Sequence, residues 1–462
     1  MLDDILDGSL RSAAAEVASG RISARELSAA AVARITSSPS ARACFLRMDA
    51  EDAASLGHDG LKAGAGGLLY GIPVAHKDLF SSPGRVSSFA AHPAFHRRGT
   101  RLADALSALQ QAGAVDLGAL HLSEFAMGPA GWSEHYGFID NPASPGYVTG
   151  GSSSGSAAVV AHKAVFAALG TDTGGSIRIP AAFCGVVGLK PSNGLVSLAG
   201  VHPVSTTLDT VGALARNVPD CARVLDALTR PGWTAGPAPY ELAALSPSAA
   251  MRIGWIHPDS LPVPPDAVVL KAYEACAERL RQAGCLVQTV EVPDWTHLNA
   301  LTGLVFASEA SAVHLDALRR RPAKIGAQVR ERLQQGLAFP ASLYVSALQQ
   351  REKHRMRWRR TFFDHLDVLL CPVSPCPAPE RSRYETCRDV GEILALNARV
   401  AAYTGIFNYL GVPALSLPVG READGRTIGV QVVGDQFGEA KVFQAAGLLE
   451  SVSSLGKRES WS

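Results

Sequence analysis

The sequence predicts a single α/β domain in which a central mixed, mostly parallel β-sheet is covered by helices on both faces. Three observations carry that expectation. Short apolar runs alternate along the chain with longer stretches of helical period. Apolar residues make up 47% and charged residues only 18%, below the roughly 25% of an average soluble chain, as suits strands buried on both faces. No repeat, low-complexity tract or long linker divides the 462 residues, so one domain spans 1–462. A chain of this length buries enough surface to fold without disulfides or a metal.

The first segment, about 1–66, reads as helices. Ser23-Ala-Arg-Glu26 is a capping box, and Leu27, Ala31 and Ile35 follow at helical spacing. Gly64, Gly66 and Gly67 mark a bend before a buried strand, Ile72–His76, that runs into Lys77. A core of about 67–230 then holds a helix over Arg101–Ala112, a strand over Ala114–Leu117, a helix over Ala157–Ala161 and a strand over Ala164–Leu169. Strands at Arg252–Ile256 and Leu286–Val292 bracket a helix over Asp266–Ala283, and strands at Val368–Cys371 and Thr427–Gly434 close the pattern. Arg351–Arg360 holds six basic residues and one Glu. Ala347, His354, Trp358 and Phe362 share one helical face there, which puts the charges on a solvated face rather than on an RNA-binding stripe.

Composition excludes several classes of function. With 43 Lys and Arg against 42 Asp and Glu, the formal charge is +1, so no global field draws the chain to nucleic acid or to an anionic membrane. The start, Met1-Leu-Asp-Asp-Ile-Leu-Asp7, is acidic where a secretory signal is basic, and no run of about 18 apolar residues exists. A soluble, cytoplasmic protein is expected. Eight scattered Cys without a C-x-x-C pair argue for buried thiols rather than a disulfide framework. His92 and His96 are four apart, but Pro93 and the missing H-E-x-x-H pattern argue against a zinc helix.

Two Gly/Ser runs carry the chemistry: Gly150-Gly-Ser-Ser-Ser-Gly-Ser156 and Gly170-Thr-Asp-Thr-Gly-Gly-Ser-Ile-Arg-Ile-Pro180. The first contains Gly151-x-Ser153-x-Gly155, a nucleophile-elbow pattern, but the Pro145–Gly150 stretch before it is no hydrophobic strand, so a plain loop remains open. The S-x-x-K at Ser454–Lys457 is interrupted by Gly456. In the second run, Gly174-Gly175 can turn consecutive N–H groups toward one point, and Ser176 would sit beside that oxyanion site. No His stands near either run in a triad-like context, so the candidate base is a lysine reached through space. Lys77, at the end of a buried strand, is that candidate. An ordinary lysine is neutral about once in two thousand at pH 7. Acting as a base requires desolvation costing about 4 kcal/mol.

These blocks resemble the amidase signature family. Gly71–Asp78, Gly150–Ala158 and Gly170–Pro191 match its signature, together with Leu208–Gly212, Asn408–Ala414 and Gly429–Gly434, in family order. The 75 residues from Lys77 to Ser152 and the 24 from Ser152 to Ser176 also agree. The resemblance implies a Ser-cisSer-Lys amidohydrolase that works through an acyl-enzyme. Ser176 is its nucleophile, Ser152 the bridging serine after a cis peptide, and Lys77 the base. The amides of Thr173, Gly174, Gly175 and Ser176 form the oxyanion hole. Ser153 orients Lys77, and Asp172 and Arg178 brace the loop. Met127 and Gly128 border the acyl pocket, and about 295–365 is a variable substrate wall. No metal or organic cofactor is implied. The substrate is a small or aryl/alkyl amide, with carbamates or esters as side substrates, no nucleic-acid or membrane partner, and a homodimer allowed. The alternative is the glutamine-hydrolysing A subunit of a tRNA-dependent amidotransferase. Its sequences typically carry Gln where this chain has Ile179 and Asp where it has Ala401.

Overall fold

The computed structural model describes residues 2–49, 67–230 and 239–453. Gly64 and Gly66, the end of the N-terminal segment from 50 to 66, and Ser454–Lys457 lie outside the described residues. The capping box opens helix α1 (Ala24–Ser37): Ser23 accepts from the Glu26 amide while the Glu26 carboxylate accepts from the Ser23 amide, and Leu27, Ala31 and Ile35 are buried.

Strand β1 (Phe45–Met48) is followed by β2 (Pro73–Lys77), helix α2 (Asp104–Gln111) and β3 (Val115–Leu120). Next come α3 (Ser154–Ala161), β4 (Ala167–Asp172), α4 (Arg178–Cys184), β5 (Val187–Lys190) and β6 (Thr210–Ala215). Strand β7 (Arg252–Ile256), α5 (Ala267–Gln282) and β8 (Leu286–Val290) lead into a helical segment that includes α6 (Trp295–Val313), α7 (Ala327–Leu337) and α8 (Ala341–Trp358). The chain finishes with β9 (Val368–Pro372), α9 (Val390–Val400), α10 (Gly405–Tyr409), β10 (Ala414–Arg421), β11 (Thr427–Val433) and α11 (Glu439–Val452).

The eleven strands form one mixed sheet in the order β1-β3-β2-β4-β6-β5-β10-β11-β9-β7-β8, with helices on both faces. Pairing is parallel in the wings, β3-β2-β4 and β9-β7-β8. It is antiparallel through the centre and at the β1 edge. The division follows from the connections: parallel neighbours need a long crossover, whereas β10 and β11 are joined by a tight hairpin. Strands β5, β6 and β10 escape the sequence pattern because Gly188, Gly212 and Pro418 break their apolar runs. Strand β4 runs three residues past its expected end, taking in Gly170, Thr171 and Asp172.

Helix α6 packs against α7, α8 and α10, its Trp295 edge-on to Tyr403 and Phe407. On α8, Ala347 and Trp358 are buried, Lys353 and Arg357 are exposed, as are Arg359 and Arg360 just beyond its end, while Arg351 turns in and donates to the Thr207 carbonyl at 3.1 Å. Among the described residues no helix is long and apolar enough to cross a membrane.

Candidate active site

Parallel neighbours β2 and β4 end side by side, with His76 paired to Leu169, so their carboxyl ends deliver Lys77 and the 170–172 stretch to one edge of the sheet. Lys77 is fully buried. Its Nζ donates to Ser152 Oγ at 2.8 Å and to Thr171 Oγ1 at 2.9 Å. Burial pushes its pKa down from the ordinary lysine value to about 7, against the opposing pull of the Asp209 and Asp172 carboxylates. An amine poised there is neutral in about half the molecules at pH 7, three orders of magnitude more than a solvated lysine.

Ser152 lies in a turn pinned by the 123–131 loop. The Gly151–Ser152 peptide is cis. The Ser152 carbonyl accepts from the Ser123 amide at 3.1 Å, and the Gly151 amide donates to the Pro129 carbonyl at 2.7 Å. A Cβ on Gly151 would stand 2.6 Å from the Gly128 carbonyl oxygen and the Gly131 nitrogen, so only glycine fits this crossing. Gly128 thus presses its backbone on the serine turn, while Met127 is buried in the apolar cluster of Phe89 and Phe125. Ser176 joins the group through its carbonyl, which accepts from the Ser153 amide at 3.1 Å. Lys77 and Ser152 are buried whereas Ser176 and Gly174 are half-buried, so the nucleophile candidate is the member a substrate can reach.

The nucleophile loop is held from beneath by a pair of charges. Asp172 and Arg178 are both wholly buried, 3.0 Å apart. Arg178 uses all five donors: two to Asp172, two to the side-chain oxygens of Asn408 and Gln431, and one to the Thr404 carbonyl. Burial would raise the Asp172 pKa, but the Arg178 charge and its hydrogen bonds hold that carboxyl well below the usual range. Replacing Arg178 by Met leaves this carboxylate buried without its cation, so Arg178→Met is expected to lose about 3–5 kcal/mol of stability, measured by urea unfolding.

Two details differ from the sequence-based expectation. The Gly175 amide donates to Asp172 Oδ1 at 2.7 Å, so it braces the loop instead of facing an oxyanion. The amides of Thr173, Gly174 and Ser176 find no acceptor among the described residues and remain available to one. Gly175 still has to be glycine: its φ is +130°, and a Cβ would sit 2.7 Å from Ile179 Cδ1. Ser153 Oγ donates to the Thr171 carbonyl at 3.2 Å, while the second acceptor on Lys77 is the Thr171 hydroxyl. Thr171 is hidden in the sequence because the Gly170-Thr-Asp-Thr173 run reads as loop, and only its place in β4 brings it beside Lys77. Asn408 and Gln431 are legible as members of late blocks but not as partners of Arg178. Among the described residues no group of His, Cys, Asp or Glu is placed to hold a metal ion.

Residues 26–443 match the family model described as Amidase. The chain belongs to the amidase family. It is an amidase-type hydrolase of carbon–nitrogen bonds. Over 478 aligned residues this amidase is 32% identical to the A subunit of glutamyl-tRNA(Gln) amidotransferase from Lachnospira eligens, covering 96% of this chain and 97% of the relative. Among solved structures it resembles the native peptide amidase from Stenotrophomonas maltophilia, with 27% identity, a TM-score of 0.79, and 96% of each chain covered. It also resembles a 6-aminohexanoate cyclic dimer hydrolase complexed with substrate, with 25% identity, a TM-score of 0.87, and 98% of each chain covered.

Proposed function

We propose that this amidase hydrolyses a small or aryl/alkyl amide through an acyl-enzyme on Ser176. Neutral Lys77 takes a proton from Ser152, which takes one from Ser176 as its Oγ adds to the amide carbon. The carbonyl oxygen gathers negative charge against the amides of Thr173, Gly174 and Ser176, a kind of contact that typically contributes about 3–4 kcal/mol per donor. The tetrahedral adduct collapses by breaking the C–N bond, and the proton returns along the same path to the departing amine. Water then repeats the addition on the ester and releases the acid. Met127, Gly128 and the helices of the 295–365 segment border the acyl and amine groups in this reading. Esters and carbamates serve as side substrates, since the same acyl chemistry handles them. The enzyme works in the cytoplasm in this reading, in keeping with eight free thiols. The observation that carries the reading is a fully buried amine 2.8 Å from a serine hydroxyl.

A second reading has independent support. The sequence relatives at 31–34% identity are amidotransferase A subunits, which favours a glutamine-hydrolysing member of a larger assembly over a stand-alone enzyme. The residues beside the nucleophile loop favour the first: Ile179 and Ala401 lie in one apolar cluster with Ala130, Val148 and Val373, a poor match for the ammonium and carboxylate of glutamine. The purified chain alone, assayed on glutamine and on a panel of aryl and alkyl amides, decides. A kcat/KM at least about tenfold higher on the apolar amides is expected, since even one misplaced polar group costs about that much. The reverse order hands the chain to the second reading.

A further inference from the structure

Two buried carboxylates, Asp209 and Asp172, pull on the Lys77 charge. The register that pairs Asp172 with Thr210 sets Asp209 at the end of the strand pair whose Thr171 bonds Lys77, and the surroundings of the two differ. Asp172 is neutralised by Arg178. Asp209, at the residue before β6 and only 7% exposed, has no cationic side chain in ion-pair contact among the described residues. Its Oδ1 accepts from the Thr173 hydroxyl at 2.6 Å, and its Oδ2 from the Val204 and Ser205 amides at 2.9 and 3.1 Å. Thr173 supplies one of the three amides left open at the nucleophile loop, and Lys77 is the buried amine that loop serves.

We propose that Asp209 is a positioning residue for the hydrolysis described above, on which this inference rests: it fixes Thr173 at the oxyanion site and is the counter-charge of the Lys77 ammonium. Each proton that enters the relay turns Lys77 into a buried cation, and a carboxylate without a cation of its own steadies that state. The other ionisable groups near the pair do not compete for the role. His121, which follows the β3 strand that flanks β2, is buried with its pKa pushed down to about 4 and is neutral. Glu309 of α6 faces the same turn from the far side, accepting from the Ser205 hydroxyl, the Thr207 amide and the Tyr344 hydroxyl. Arg351 of α8 reaches Thr207, not Asp209. Burial raises the Asp209 pKa to about 6 against the hydrogen bonds of Thr173, Val204 and Ser205, so the carboxylate is ionised where Lys77 titrates. The 204–209 turn is thereby clamped between the catalytic floor and helices α6 and α8.

The test uses the full chain, an amide it turns over, and two variants. Asp209→Asn removes the charge and keeps the shape; Thr173→Val removes only the hydroxyl link. Asp209→Asn is expected to lower kcat by about ten- to a hundredfold with KM within threefold, somewhat less than deleting an oxyanion donor outright. With less stabilisation of the ammonium, the midpoint of the acid limb of kcat/KM moves to lower pH, by about half a unit or more. Thr173→Val is expected to show a similar kcat loss with the midpoint unmoved. Stoichiometric labelling of Ser176 by a serine-directed sulfonyl fluoride, read by mass spectrometry, counts folded sites in each variant. An unmoved midpoint in a fully labelled Asp209→Asn enzyme overturns the proposal. If that variant does not fold, an unchanged kcat in Thr173→Val overturns it. Failure to label Ser176 in the parent instead sinks the underlying reading of the reaction.

Discussion

Ser176→Ala is expected to lower kcat for amide hydrolysis by about a million-fold, the scale on which removing the nucleophile of a serine hydrolase abolishes its covalent path. The loss should fall on chemistry alone. Among the described residues no hydrogen bond that holds the loop depends on the Ser176 hydroxyl: its carbonyl receives the Ser153 amide, while the loop is anchored by Asp172, Arg178, Asn408 and Thr404. Unfolding free energies of variant and parent should therefore agree within about 0.5 kcal/mol, as for a substitution away from any packing or buried polar feature. KM should change little, because the amides of Thr173, Gly174 and Ser176 remain to bind the carbonyl oxygen. A variant that retained parental turnover would remove Ser176 from the mechanism, and with it the acyl-enzyme. Mass spectrometry of the stalled parent gives the complementary readout, an adduct on the peptide that contains Ser176 and on no other serine peptide.

The wings of the sheet are legible because short apolar runs, such as Ile72–Ala75 leading into His76 and Lys77, and Val368–Cys371, stand between helical stretches. Its antiparallel centre was not, since Gly188, Gly212 and Pro418 disguise strands whose stability comes from neighbours far away in sequence. In the site, Lys77, Ser152 and Ser176 could be named because each falls in a run of unusual residue types at fixed spacing. The oxyanion set could be guessed from Gly174 and Gly175, but which amides are free depends on where Asp172 folds back, and no local pattern encodes that. Thr171 and Asp209 show the same limit. Each acts through one hydroxyl or carboxylate whose partner lies on a different strand or loop, and an isolated Thr or Asp carries no periodic signal.

The pH dependence of turnover identifies the base. With its pKa pushed down to about 7 by burial, Lys77 is an ammonium at lower pH and can accept nothing, so kcat/KM should fall about tenfold per unit below pH 7 and level off above it. Three other groups shielded from water sit near the same value: Lys190, pushed down to about 7 by burial and by Arg178, and Glu124 and Glu450, each pushed up to about 7 by burial. All three are engaged away from the serines. Lys190 donates to the Pro191 carbonyl, Glu124 accepts from the Gly326 amide, and Glu450 accepts from the Val218 amide. Lys77→Met separates them. Methionine fills the same buried channel without a charge to desolvate, so the variant should be at least as stable as the parent at pH 7. The unfolded parent binds a proton there that its folded form holds only half the time, and the substitution removes that penalty. Activity should drop by about a thousand- to ten-thousandfold, the range for loss of a general base. The limb centred near 7 should vanish, leaving a residual rate that climbs with hydroxide. In Lys190→Met the limb should stay where it is. If instead it survives in Lys77→Met and disappears in Lys190→Met, the proton path runs through the wrong lysine in the mechanism proposed here.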